Sequence, residues 1–532
     1  MMKRVIKWGY MVSLGLLIGV LYAFIGILLV YKTGMSISST LVTPIIFYFF
    51  IRIFFKPTSE ELTLVQIFSS GASLATFSLE SAYAASIIYG GNGANIHLWI
   101  IMVLGIGMNI FGIFIAIPLL RVWIYEEGLP FPKGQAMGNI ILSITEDKKE
   151  NLFQILWCGL VAIVVYIVVR VKKCLYNPLA SLFKIPDFIG AEISPLLFGL
   201  GMFLPFKAVL FMLIGTAYST LVLVISNKGF SPAITFKDHL SNPLVLSVAI
   251  GLALGYTIYT VPGLLMKIGT IFSNIPKKDT KLNYFYGICF FIFFLCVSTF
   301  IKIQFSFPIY GLVVILCLAL LFGLVTARTR GETGLGTTAT IYFTIPLIGI
   351  ISKDITTTLL LSGGITLMTV TLSDCMEMMS IGKVTKTSIK KLIICYTIGS
   401  VVGVVIGSIT MFILKSEYGF GNSLLPAPTS LTWGTIAKAV VNRGIPTSIN
   451  IMYIGIAIFL SIILAYFKHS PLLIGMGILI PTSVIIPIFL GGLIAKLLVK
   501  NNSKLVPNNV AVGLITGEGI MSIISAVMDV LK

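Results

Sequence analysis

The sequence predicts an all-α, polytopic integral membrane protein built in two homologous halves, and three observations lead there. Of 532 residues, 57% are hydrophobic and only 11% are charged, where soluble chains average about 25% charged, and the mean hydropathy is +1.03. Apolar runs such as Gly9–Tyr31, Leu98–Trp123, Leu152–Val169 and Ile394–Leu414 recur along the chain; at the helical length needed to cross a hydrocarbon core, the pattern predicts about 15–17 transmembrane segments. The third observation is repetition. SPLLFGLGMFLP, from Ser194, returns as SPLLIGMGILIP, from Ser470, with seven letters unchanged and the other five exchanged among apolar residues.

From the N-terminus, Lys3, Arg4 and Lys7 precede an apolar stretch that imitates a signal peptide. The stretch is long enough to span and no small-residue cleavage site follows, so it reads as the first span. Further echoes then follow in order. KTGMSISST from Lys32 aligns with ETGLGTTAT from Glu332, SSGASLATFSLES from Ser69 with SGGITLMTVTLSD from Ser362, and LPFP at Leu129 with LPAP at Leu425. A nearly constant offset without a crossing predicts an N-terminal repeat over 1–281 and a C-terminal repeat over 282–532, with a connecting span at about 284–303. Basic clusters gather at the ends of apolar segments, and placing them on one side makes the N-terminus cytoplasmic and the repeats inverted.

The LPFP and LPAP phrases read as broken, re-entrant helices. Pro130 and Pro132 cannot donate backbone hydrogen bonds and leave nearby carbonyls free; in a membrane such groups are tolerated only inside protein or beside water. A helix starting near Lys133 and Gly134 would expose its first amides to an anionic group. Interruptions at matching positions of two repeats point to the substrate site, which places Glu127, Pro130, Phe131, Pro132, Lys133 and Gly134 there with Pro426, Pro428 and Thr429. Glycine spacings such as Gly15 to Gly19, or Gly399 to Gly403 to Gly407, read as close helix packing. Gly199, Gly201, Gly475 and Gly477, inside the duplicated phrase, are candidates for moving helices instead.

An ionisable residue at membrane depth costs about 2.5–3.5 kcal/mol on insertion scales. Glu80, Glu127, Glu332, Asp374, Glu377 and Glu518 all lie in or beside apolar runs. Each alone is compatible with an interfacial or salt-bridged carboxylate. Together they point to the handling of protons or cations.

Other classes fare worse. Lys and Arg exceed Asp and Glu by a formal +18, but no basic stripe carries the aromatic interleaving of a nucleic-acid binder. The Cys are scattered without a CxxC and the three His stand apart, so neither a disulfide framework nor a protein-held metal cluster is expected, and no cofactor is. No HExxH or Walker motif supports an enzyme, and no TVGYG filter supports a channel. A channel-like or differently coupled permease remains the alternative to a carrier.

These residues resemble the oligopeptide transporter family, which includes the yellow-stripe-like metal-chelate carriers. EGLPFPKGQA (Glu127–Ala136) is similar to its E-x-LPFP-x-G-x-A signature, LLPAPTSLTWGTIAKAV (Leu424–Val440) to its L-P-A-P element, GLITGEGIM (Gly513–Met521) to its G-L-I-x-G-E, and YKTG (Tyr31–Gly34) to the end of its first span. LSDCMEMMSIGKVTKTS (Leu372–Ser388) resembles a further family segment, with Glu377 where an Asp is usual and no Lys close behind. The resemblance implies uptake of small peptides or metal–peptide-like chelates across the cell membrane, driven by a proton gradient, with Arg328, Arg330 and Lys133 available to a peptide carboxylate or anionic chelate.

Overall fold

The computed structural model describes residues 10–17, parts of 19–31, and 55–530 apart from 75–76, 91–95, 146–148, 172–175, parts of 228–241, 274–279, 335–339, 422–424, 426, 443–448 and 501–504. The KTGMSISST phrase and Pro426 therefore lie outside the described residues. The structure is 85% helical without strands among the described residues. Eight helices there are long and apolar enough to cross a membrane, and four apolar helices are shorter. The all-α, polytopic class that composition predicts is the class observed. A backbone in hydrocarbon has no water to bond, so it satisfies its polar groups within helices.

The chain groups into two compact units, Met1–Ile141 with Val261–Ile445, and Leu142–Thr260 with Pro446–Lys532. It visits each unit twice. The first unit holds α1 (Ser59–Leu74), α2 (Phe77–Tyr89), α3 (Leu98–Leu120) and the start of α4 (Pro132–Thr145). The second takes α5 (Lys149–Val171), α6 (Pro178–Phe183), α7 (Pro195–Phe203), α8 (Phe206–Asn227), α9 (Phe236–Leu240) and most of α10 (Pro243–Ser273). The chain then returns to the first unit with α11 (Thr280–Phe305), α12 (Ile309–Thr333), α13 (Thr340–Ser352), α14 (Ile355–Thr385), α15 (Ile389–Tyr418) and α16 (Pro428–Val441). It ends in the second with α17 (Ile451–Tyr466), α18 (Pro471–Ile478), α19 (Thr482–Lys500) and α20 (Pro507–Val530). Each unit thus draws on sequence from both sides of residue 281.

In the first unit α14 is the central element, buried along almost its whole length and packed against α1, α2, α3, α12, α13, α15 and α16. Its start is fixed by Asp354, whose Oδ2 accepts from Thr357 N–H at 2.7 Å, the usual way a helix satisfies one of its free first amides. α15 lies along α1, where Gly399 and Gly403 sit against the backbone carbonyls of Phe68 and Ala72. This is the close packing their spacing predicts.

The second unit uses the same device in matched pairs. Gly201 of α7 meets the carbonyl of Ile488 on α19, and Gly477 of α18 meets that of Met212 on α8. Gly201 and Gly477 occupy the same place in the two copies of the twelve-residue phrase, as do Phe198 and Ile474, whose carbonyls face Gly491 and Gly215. Each copy therefore packs on the helix that follows the other copy. Gly199 and Gly475 repeat the pattern against the carbonyls of Ala511 on α20 and Ala249 on α10. All four glycines are points where two helix backbones meet, and an added Cβ would press on a neighbouring backbone at each.

Candidate functional site

The LPFP break lies in the first unit. α3 does not stop at Leu120 but loosens into a π-helical turn, Arg121–Glu126, a wide form that appears mostly as short pieces at functional sites. Its carbonyls find new partners: Leu129 N–H donates to Trp123 O at 2.8 Å, and Lys383 Nζ of α14 to Ile124 O at 2.8 Å. Phe131 then takes φ 37°, a left-handed conformation that costs a residue with a Cβ about 1–2 kcal/mol. Two features offset that cost: its ring is fully buried, and its N–H donates to Gly331 O, at the end of α12, at 2.8 Å. α4 starts at Pro132, with Gly134 against the Glu377 carbonyl and the Ser380 side chain.

The LPAP break is held in the same manner. Ala427 has φ 47°, and its N–H donates to Tyr31 O at 2.7 Å. α16 begins at Pro428, and Gly434 meets the ring of Tyr89 on α2 as Gly138 meets Val384 on α14. Ala427 stands in LPAP where Phe131 stands in LPFP, and Tyr31 in YKTG precedes the aligned phrase much as Gly331 precedes ETG. Each break is thus pinned to the helix end on the other side of residue 281. Pro428 is placed as the first residue of α16, and half-buried Thr429 follows it in the first turn.

Charges collect at the LPFP break. Arg330, in the last turn of α12, donates from Nη1 to Asp374 Oδ1 at 2.7 Å, and its Nε lies 3.4 Å from Glu377 Oε2, an ion pair without hydrogen-bond alignment. Asp374 and Glu377 are three residues apart on α14, so they share a face. Tyr396 of α15 donates to Asp374 Oδ2 at 2.9 Å. Lys133 interacts electrostatically with both carboxylates. Two cations and two carboxylates make the cluster formally neutral, which a low-dielectric site requires. Beside it, Arg328 donates to Glu332 Oε1 at 2.9 Å and to Glu127 Oε2 at 3.4 Å. Arg328 and Arg330 each hold two carboxylates, whereas Lys133 forms no ion pair among the described residues.

The remaining predicted carboxylates fall elsewhere. Glu80, on α2, is 2% exposed, and its backbone carbonyl accepts from Tyr31 Oη at 3.0 Å, which puts it beside the LPAP break. Glu518, on α20, belongs to the second unit, where it accepts from Ser194 Oγ at 2.9 Å and Leu196 N–H at 2.7 Å. It closes the N-terminus of α7, where a carboxylate meets free amides and a partial positive charge. Ser470, which opens the second copy of the phrase, makes no side-chain cap bond.

Sequence reading missed three participants: Tyr396, Lys383 and Gly331. Lys383 carried a weak signal, as a cation just past apolar Met378, Met379 and Ile381. The other two carried none, since an isolated Tyr or a Gly in a GETG run has many uses. Met108, Phe111, Phe294, Val297, Ile315 and Met368 line an apolar groove in the first unit that contains no charged side chain. Among the described residues no group of three or more His, Cys, Asp or Glu is placed to hold a metal.

A family model described as OPT oligopeptide transporter protein matches residues 10–528, nearly the whole chain. No curated protein matches it.

Proposed function

This chain belongs to the oligopeptide transporter family, a family of membrane transporters for oligopeptide-type substrates, and from that premise we propose that it is a proton-coupled carrier for small peptides or metal–peptide-like chelates. It works in the cell membrane by alternating access, with the N-terminus on the cytoplasmic side, and it is a carrier and not an enzyme. The two sequence halves descend from one unit, and they supply the two breaks in matched form. The observation that carries the reading is the pair of Pro-flanked breaks, each turned by a left-handed residue and pinned across the halves. Interrupted helices at equivalent positions are where such transporters bind their substrates.

The LPFP break is the side that meets the substrate. Arg328 and Arg330 are each committed to two carboxylates, so the cation available to a peptide carboxylate or an anionic chelate is Lys133, at the start of α4 beside free helix amides. Arg330, Asp374, Glu377 and Tyr396 hold the surrounding helices and set the charge that the incoming group meets. Proton entry is worth about 2.3 kcal/mol per 100 mV, or close to fifty-fold accumulation.

Proteoliposome uptake tests this directly. Labelled di- to hexapeptides and iron, nickel or zinc chelates are expected to accumulate under an inward pH gradient and to stop when it is collapsed. Uptake that survives the collapse removes the proton role. Lys133→Ala is expected to raise KM with little change in kcat, as loss of uniform binding does, and an unchanged KM removes Lys133 from the site. Counterflow exchange separates a carrier from a channel.

A further inference from the structure

Six carboxylates were candidates for the coupled proton, and five of them have conspicuous partners. Glu127 and Glu332 share Arg328. Asp374 and Glu377 share Arg330. Glu518 receives a backbone amide and a serine hydroxyl. Glu377 leaves Oε1 without a hydrogen bond, but two cations lie beside it. Moving a proton on or off any of them breaks an existing pair or hydrogen bond.

Glu80 is different. It is buried on α2, its Oε2 has no hydrogen-bond partner, and no cation pairs with it among the described residues. The titratable groups near it are Tyr31 from the first helical segment and Tyr83 one turn along α2, with Lys415 of α15 donating to Tyr83 Oη at 3.1 Å. α14 and α16 face this part of α2 with Gly363, Leu359, Trp433 and Ala437, none of them ionisable. The ionised form of an unpaired carboxylate is strongly disfavoured in such surroundings, so a charge on this side chain needs water or a donor to reach it.

Its position makes that change consequential. Tyr31 Oη bonds the Glu80 carbonyl, and the Tyr31 carbonyl accepts the N–H of Ala427, the left-handed residue of the LPAP break. Glu80 thus stands two hydrogen bonds from the turn that starts α16.

We infer that Glu80 is the carboxyl that carries the coupled proton, and that Tyr31 transmits its state to the LPAP break. The inference rests on the proton-coupled reading above. One O–H bond forms, with a proton from water on the loading side, and the same bond breaks on the other side to return it to water. The two breaks then divide the work. The charged one at LPFP binds, and the nearly neutral one at LPAP loads and unloads.

The wild-type protein gives the first test. A hydrophobic carbodiimide adds to protonated carboxyls in apolar surroundings, so mass spectrometry after brief treatment is expected to find the adduct at Glu80, forming faster at lower pH. Modification of other membrane carboxyls with none at Glu80 overturns the assignment. The second test is Glu80→Gln in proteoliposomes carrying an internal pH dye. Substrate-driven proton entry is expected to fall about tenfold or more while counterflow exchange continues.

A variant that exchanges substrate and still carries protons overturns the inference and leaves proton coupling intact. A wild-type protein that moves substrate without protons sinks both. Tyr31→Phe keeps the ring against Phe420 and removes the bond to Glu80. It is expected to leave labelling of Glu80 in place and to shift the pH profile of uptake, and an unshifted profile removes Tyr31 from the linkage.

Discussion

The LPFP and LPAP breaks share a backbone and differ in almost everything attached to it. Phe131 and Ala427 both turn left-handed, both donate to a carbonyl on the far side of residue 281, and both are followed by a helix that opens on proline. Around Phe131 stand Arg330, Asp374, Glu377 and Lys133, whereas beside Ala427 the buried carboxylate among the described residues is Glu80, with Tyr31 and Tyr83 as neighbours. The shared part fixes where the chain reverses, since main-chain hydrogen bonds do that whatever the side chains are. Charge density then decides what each break can do. In the proposed reading, the charged break recognises the substrate and the nearly neutral one holds the proton.

That contrast breaks most readily at Arg330. Arg330→Gln leaves Asp374 and Glu377 buried without their shared cation, and removing one member of a buried pair costs about 3–5 kcal/mol. The midpoint of thermal unfolding in detergent is expected to fall steeply, while Glu80→Gln, which removes no pair, is expected to leave it nearly unchanged. Equal losses would mean that the two breaks are not electrostatically different.

The shared backbone is tested at the helix contacts. Gly138→Ala presses on Val384, and Gly434→Ala presses on the ring of Tyr89, each an overpacking of about 1–3 kcal/mol. Comparable drops in the unfolding midpoint are expected, and a drop at only one of the two positions would break the structural equivalence.

Smaller effects sharpen the comparison. Ala427→Gly relieves left-handed strain at the loss of one methyl group, and a gain of about 0.5–1 kcal/mol is expected from the same measurement. Phe131→Gly relieves the same strain but removes a fully buried ring, so that variant is expected to lose stability. Last, Glu518→Gln weakens the closure of α7 by about 1 kcal/mol; a change in the proton coupling ratio with it would move the coupling role toward the second unit.

Much of this was legible in the sequence, for physical reasons that can be named. Prolines cannot donate, so the breaks were visible at Pro130 and Pro132, and membrane-depth carboxylates are costly, so Asp374, Glu377 and Glu80 stood out among apolar neighbours. The glycines of the duplicated phrase show close backbone contacts that the sequence alone did not reveal, with Gly201 and Gly477 facing the carbonyls of Ile488 and Met212. The positive φ of Phe131 and Ala427 was out of reach, because neither residue favours it and the bonds that hold it come from residues far away in sequence. The division of cations was equally hidden. Arg328, Arg330 and Lys133 look alike as letters, and only the positions of four carboxylates separate the two arginines from the lysine.

The pinning of the two breaks has a consequence for how the protein is made. Tyr31 leaves the ribosome long before Ala427, so the LPAP turn finds its carbonyl already waiting. Gly331 follows Phe131 by 200 residues, and at about 5–20 residues per second the LPFP turn spends about 10–40 s in the membrane before its anchor is synthesised. A chain cut anywhere between the two positions would lack the carbonyl that holds this turn.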